Sequence, residues 1–346
     1  MSRKKALGKK IAHTLMAMSI VYSSGINIVV NQVYAGEKTE NITGSSASFT
    51  ETGANGNNYA MSGGVTDGED ASITGKITDS NVASNPIVIT ANGGHGGIDN
   101  GNSPTVMQGA IGGDAIAKVT VDESLSSITT GNITVNATGG SNGSAYQGVA
   151  GDAGAAAAYG LEVKHDLTIT AADITVSAQT KYNDNSFGNK VDIEAAKHNG
   201  ATATGLQVDS GTVNFTGGGI KVLVSNEARY TSIDELLPRK LSSDGGDAKA
   251  YGIRVNGGEV TAKLTGNIVV DKINAGSGAN IYGKVDAGKG PDGGNGGNVI
   301  AYGVYATEAS PIWSWRISLS IHPVEVVVIM SVQVKAAVVL VLRLRS

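Results

Sequence analysis

Ala158-Tyr159-Gly160-Leu161-Glu162-Val163, Leu167-Thr168-Ile169-Thr170 and Asp173-Ile174-Thr175-Val176-Ser177 follow one another within twenty residues, and their reading decides the fold. Each is a short run in which apolar and polar residues alternate, and only three and two residues separate the runs. Period two is the geometry of a strand, so Leu161 and Val163 point to one side and Glu162 to the other. A lone strand of four or five residues cannot bury its apolar side. Three in quick succession predict a closed, roughly triangular coil that becomes stable by stacking on its neighbours.

The repeat extends outward from that stretch. Ala203-Thr204-Gly205-Leu206, Ala250-Tyr251-Gly252-Ile253 and Ala301-Tyr302-Gly303-Val304 copy Ala158-Tyr159-Gly160-Leu161 at spacings of 45, 47 and 51 residues, and a degenerate copy begins near Ile116. The third copy gives strands at Gly205 to Val208, Thr212 to Thr216 and Gly219 to Val224, and the fourth at Gly252 to Val255, Glu259 to Leu264 and Asn267 to Asp271. Stacked coils place equivalent residues about 4.8 Å apart. Gly160, Gly205, Gly252 and Gly303 are therefore expected to form a ladder at one corner, with Tyr159, Thr204, Tyr251 and Tyr302 as a second ladder beside it. Loops of about 25 residues, at 178–202, 225–249 and 272–300, separate the triplets. They are rich in Gly, Asn, Asp and Lys and are the expected contact surface for any host or cell-surface ligand.

Composition agrees with a thin-walled β architecture. The 346 residues include 49 Gly and no Cys, with only 5% aromatic and 16% charged residues. Too few large side chains are present to fill a thick core, whereas Val, Thr, Ala and Asn suit short strands joined by tight turns.

The N-terminus reads as an export signal for the Sec machinery. Arg3, Lys4, Lys5, Lys9 and Lys10 precede an apolar stretch from Ile11 to Val30, and Val33-Tyr34-Ala35 places cleavage between Ala35 and Gly36. Ser19, Ser23, Ser24, Gly25 and Asn27 interrupt that stretch, which disfavours a membrane anchor. The organisation expected is a signal peptide over 1–35, an N-terminal β-rich or cap region over 36–115, a repeat solenoid over 116–310 and an aberrant tail over 311–346. Residues 36–310 carry 17 Lys and Arg against 29 Asp and Glu, a net charge of −12, which argues against a nucleic-acid partner.

Catalytic and metal signatures are weak. His95, His165 and His198 have no metal-binding spacing, and Asp209-Ser210-Gly211 lacks the preceding Gly and the placed His of a serine hydrolase, so it reads as a turn. No cofactor is expected. Outward carboxylates exist at Glu162, Glu259 and Asp271, but Gln207 and Arg254 stand where Glu162 would repeat. A non-enzymatic scaffold is the leading expectation, and a β-helical polysaccharide lyase or hydrolase the alternative.

Together, the N-terminal signal, the absent Cys and the Gly/Asn/Thr-rich triplet repeats resemble the passenger domains of Gram-negative autotransporters. That resemblance implies an all-β fold, a right-handed parallel β-helix with long Gly/Asn-rich loops preceded by a signal-peptide helix. It also implies an adhesin-like role at the cell surface or outer membrane. Such proteins end in a membrane β-barrel, and nothing here reads as one. Instead, Gly is absent after Gly303, both Trp residues (Trp313 and Trp315) appear, and Val-rich runs follow. Shifting the reading frame by one nucleotide from Trp315 permits ANITVNTSGGGGGDNVGAGKGGG, close kin to Asn132-Ile133-Thr134-Val135-Asn136-Ala137-Thr138-Gly139-Gly140. The expectation is a truncated, frameshifted product that reaches the periplasm, with the gene continuing in the other frame. Sequencing across the codons for 308–315 and beyond decides this.

Overall fold

The computed structural model describes residues 37–44, 47–58, 65–83, 86–97, 109–143, 151–181, 199–226, 230–232, 245–275, 280–282, 297–306, 315–321 and 324–330. All belong to one unit, Val33–Ser346. The expected signal helix and its cleavage point, Ala35 and Gly36, lie outside them. No helix occurs among the described residues, and three stacked parallel sheets form the walls of a solenoid.

The first wall contains β1 (Lys38–Ile42), β3 (Ala71–Ile77), β6 (Ala115–Val121), β9 (Ala156–Val163), β12 (Ala201–Val208), β16 (Ala248–Val255) and β20 (Val299–Ala306). The second contains β4 (Asn81–Val82), β7 (Ser127–Thr130), β10 (Leu167–Thr170), β13 (Thr212–Gly217), β17 (Glu259–Leu264) and β21 (Trp315–Ile321), with β22 (Val324–Met330) antiparallel to β21. The third contains β2 (Ala47–Thr52), β5 (Ile87–Asn92), β8 (Ile133–Thr138), β11 (Ile174–Thr180), β14 (Ile220–Asn226) and β18 (Ile268–Asn274). Residues 38–92 thus already contribute strands to the same three walls.

Three expectations need adjustment. Strands of the first wall start four residues before their Gly, and those of the third run past the expected ends, so the segments at 178–202, 225–249 and 272–300 are partly strand. Two of these segments also pair in parallel with each other, through β15 (Tyr230–Ser232) and β19 (Asn280–Tyr282). The glycine ladder lies inside strands β9, β12, β16 and β20 rather than at a corner, and none of its members has positive φ.

The core explains why glycine is needed there. Opposite the first wall, the third wall stacks Ile87, Ile133, Ile174 and Ile220, each buried, and the first wall answers with small residues: Ala158, Ala203 and Ala250 are fully buried. A Cβ on Gly160 would lie 2.7 Å from Ile174 Cγ2 and 2.8 Å from Val176 Cγ2, and on Gly205 it would run into Ile220. Isoleucine on one wall is compatible with glycine on the other because packed interiors leave no spare volume. Alternation also slips here: Gly160 and Leu161 are both buried, and together they face the single Val119 of β6. This is a β-bulge, and it bends the strand within the wall.

A second glycine system fills the return from the third wall to the first in the early coils. Gly94 N donates to Glu69 O, Gly113 N to Gly94 O, Gly140 N to Gly113 O and Gly154 N to Gly140 O, each at 2.8 Å. Extended segments thus stack crosswise into a lattice. Added Cβ atoms at Gly94 and Gly97 would strike the carbonyls of Ala54 and Asn57, and those at Gly140 and Gly143 the carbonyls of Gly94 and Gly97. That three-residue period is the period of the polyproline-II conformation, which makes no internal hydrogen bonds and leaves every N–H for a neighbour.

Side chains tie the corners of successive coils together. Asp114 N donates to Asp70 Oδ1 at 2.8 Å, while Asp114 Oδ1 accepts from Ala155 N at 2.7 Å. The same device joins Asp166 to Thr212 N, Asp173 to Gly219 N and Asp247 to Asn298 N. Asp114 stays exposed at its edge, but the neighbouring coils partly desolvate its carboxyl and push it above its ordinary value; the Ala155 N–H opposes this and the Asp70 charge adds to it. A raised folded-state value means that the folded protein holds the proton longer than the unfolded chain. Stability is therefore lost as pH rises from the ordinary carboxylate range through that raised value. Asp114→Asn keeps the acceptor and removes the charge. It should melt at a higher temperature than the wild type at pH 7, with the difference closing near pH ~3, where both are uncharged. Thermal melts at the two pH values check this, and an equal or lower melting temperature at pH 7 refutes it.

Candidate functional site

Outward positions of the first wall form continuous rows, because every coil is in register with the next. Thr74, Lys118, Tyr159, Thr204, Tyr251 and Tyr302 make one row. Thr120, Glu162, Gln207, Arg254 and Tyr305 make the row beside it. Inward residues hardly vary from coil to coil, whereas these rows change character along the axis.

Aromatic rings gather where the two rows end. Tyr251 and Tyr302 have ring centroids 6.0 Å apart, Tyr251 and Tyr305 5.3 Å, and Tyr302 and Tyr305 4.9 Å. The Arg254 guanidinium sits over the Tyr251 ring at 5.1 Å, a cation–π arrangement. Burial pushes the Tyr251 phenol above its ordinary value, and Arg254 opposes this. Tyr159 is raised for the same reason.

Three polar atoms in this patch are shielded without a hydrogen-bond partner: Thr204 Oγ1, Gln207 Oε1 and Arg254 Nε. Thr204 faces outward yet has 0% exposure, because it lies between the side chains of Tyr159 and Tyr251 in its row. The Gln207 amide nitrogen is engaged by Asp209 at 3.1 Å, and Asp209 also accepts from Asn256 Nδ2 at 2.8 Å. Glu162 pairs with Lys164 at 2.6 Å.

The other candidates fall elsewhere. Glu162, Glu259 and Asp271 are on the first, second and third walls respectively, so these three carboxylates do not share a surface. Ser210, in the turn between β12 and β13, donates to the Lys164 carbonyl, and Gly211, the residue after Ser210, has φ 83°; His165 Nε2 is 2.9 Å from Leu125 O. His95 Nδ1 accepts from Ser141 N at 3.1 Å within the glycine lattice. His198 lies outside the described residues, as does most of each long segment between triplets. Among the described residues no group of three or more His, Cys, Asp or Glu could hold a metal, and no helix is long and apolar enough to cross a membrane.

Sequence reasoning missed Tyr305. Its signal was present, since Glu162, Gln207 and Arg254 mark that outward position in three copies and Tyr305 is its fourth. No protein-family model, curated protein or solved structure matches the chain.

Proposed function

We propose that this chain is an exported, adhesin-like display scaffold of the autotransporter passenger type, carried across the inner membrane by its N-terminal segment through the Sec machinery. The observation that carries this reading is the contrast between the two sides of the first wall. Inside, Ala, Leu, Ile and Val recur coil after coil, as at Leu161, Leu206 and Ile253. Outside, the same strands present Glu, Gln, Arg and Tyr at one position in turn. A repeated core that holds a variable face is suited to recognition along an extended surface. Placement of Glu162, Glu259 and Asp271 on three walls favours display over the hydrolase or lyase alternative, which would gather carboxylates on one face.

Expressing the full chain in a Gram-negative host and determining the N-terminus of the product tests export. A product beginning at Gly36 and recovered outside the cytoplasm is expected. One that keeps Met1 and stays with the cytoplasmic fraction overturns the proposal. Release of reducing or unsaturated sugar ends from polysaccharides by the purified chain would transfer support to the enzyme.

A further inference from the structure

Arg254 is an unusual cation in this protein. Every ion pair between described residues uses Lys as its cation: Lys38, Lys76, Lys118, Lys164 and Lys249 each meet a carboxylate within 4 Å. Arg254 meets none among the described residues. Its contact is the Tyr251 ring, and its Nε is shielded from water with no acceptor. A guanidinium presents five N–H donors in a planar fork that matches a carboxylate. Only Nε is shielded; Arg254 as a whole is half-buried, and with no carboxylate paired to it among the described residues its remaining N–H donors are suited to a charge-assisted pair with an incoming carboxylate.

Its surroundings restrict what else the ligand carries. Tyr302 and Tyr305, both half-buried, stack on each other at 4.9 Å and stand 6.0 and 5.3 Å from the buried Tyr251, so the three rings form one aromatic cluster. The exposed part of such an aromatic cluster accepts the apolar C–H face of a ligand. Sugar units are roughly as long as the spacing of about 4.8 Å between coils, so successive units can meet successive coils. A dense polyanion is disfavoured, because Asp209 lies two residues beyond Gln207 and Glu162 shares the Arg254 row.

We propose that the outer face of the first wall around Arg254 binds a saccharide bearing a single carboxylate, with the acid on the Arg254 guanidinium and a sugar ring on Tyr302 and Tyr305. This deepens the display reading by naming a ligand class. It is nevertheless tested on purified protein, so a failure of export leaves it standing, and a failure to bind sugar leaves the export result untouched.

Calorimetric titration of the purified full chain with 3-sialyllactose and with a glucuronic acid disaccharide tests the two sources of such an acid, with lactose as the neutral control. Saturable binding of at least one acid, at least about tenfold tighter than lactose, is expected. Arg254→Gln and Arg254→Lys should each lose about tenfold or more, since Lys cannot form the fork. The double variant Tyr302→Ala/Tyr305→Ala should lose a similar factor, whereas Lys249→Ala should bind as the wild type does. Melting temperatures confirm that each variant is folded, and an unfolded Tyr302→Ala/Tyr305→Ala is replaced by the milder Tyr302→Leu/Tyr305→Leu. No saturable binding of either acid, equal binding of lactose, or unchanged binding by folded Arg254→Gln overturns the proposal, as does capture of a polypeptide in place of any sugar.

Discussion

Gly140→Ala is expected to destabilise the early coils by about 3 kcal/mol or more and to open them before the rest of the solenoid. An alanine Cβ at this site points into the Gly94 carbonyl and comes within 2.9 Å of Gly113 N. Both obstacles are backbone, and both are held: Gly94 N bonds to Glu69 O and Gly113 N to Gly94 O, at 2.8 Å each. A Cβ has no rotamer with which to avoid them. The entropy that alanine removes from the unfolded chain is worth only about 0.4–1 kcal/mol in the opposite direction, so the clash decides the sign. Gly303→Ala is the internal control, because the nearest heavy atom to its Cβ is Ile268 Cγ2 at 3.9 Å. Its effect should stay within about 0.5 kcal/mol. Stacked coils need not unfold in one step. Hydrogen exchange over residues 53–155 is accordingly the measurement, alongside urea denaturation. Unchanged protection there in Gly140→Ala would remove the lattice as a source of stability.

Phe215→Ala should cost about 3–5 kcal/mol, the range for emptying a large aromatic site in a core. Phe215 is 1% exposed and is the largest fully buried side chain among the described residues. Ile169 precedes it in the inward row of the second wall and Ala262 follows it. The small Ala262 leaves room for the ring, and a Cβ on Gly217 would already be 2.7 Å from Cζ. Parallel strands on both sides fix this spacing, so the coil cannot collapse into the gap. Phe215→Leu should lose clearly less, about 1–1.5 kcal/mol. Urea denaturation gives both values, and a loss below about 1 kcal/mol for Phe215→Ala would show that the walls repack freely.

Much of this architecture was legible because the apolar period stays at two within each run. Leu167–Thr170 and Glu259–Leu264 are strands with the bounds expected, and Leu161, Leu206 and Ile253 are inward. The ladder glycines were misplaced for a physical reason. Sequence suggests a conformational need for Gly, whereas the need here is space, set by Ile174, Ile220 and Ile268 on a wall 14 to 16 residues further along the chain. Among the described residues only the turn glycines Gly211 and Gly258 have positive φ, at 83° and 84°. The glycine lattice was invisible for the opposite reason: Gly93-Gly94-His95-Gly96-Gly97 and Gly139-Gly140-Ser141-Asn142-Gly143 lack side chains whose period could announce a partner. Glycines spaced three apart in both were the available clue. In the Arg254 patch the outward row could be read, but the idle state of Arg254 Nε, Gln207 Oε1 and Thr204 Oγ1 depends on neighbours that only coordinates supply.

Every parallel pairing between described residues joins positions 35 apart, as for Lys38 with Ile73, to 57 apart, as for Thr261 with Ser318. Loop closure grows only logarithmically with length, so each new coil meets nearly the same entropic barrier, however many precede it. Folding rate should then be governed by the first coils to form and depend little on total chain length, unlike proteins whose mean contact separation grows with size. A chain of this design can acquire structure coil by coil, each turn templating its successor.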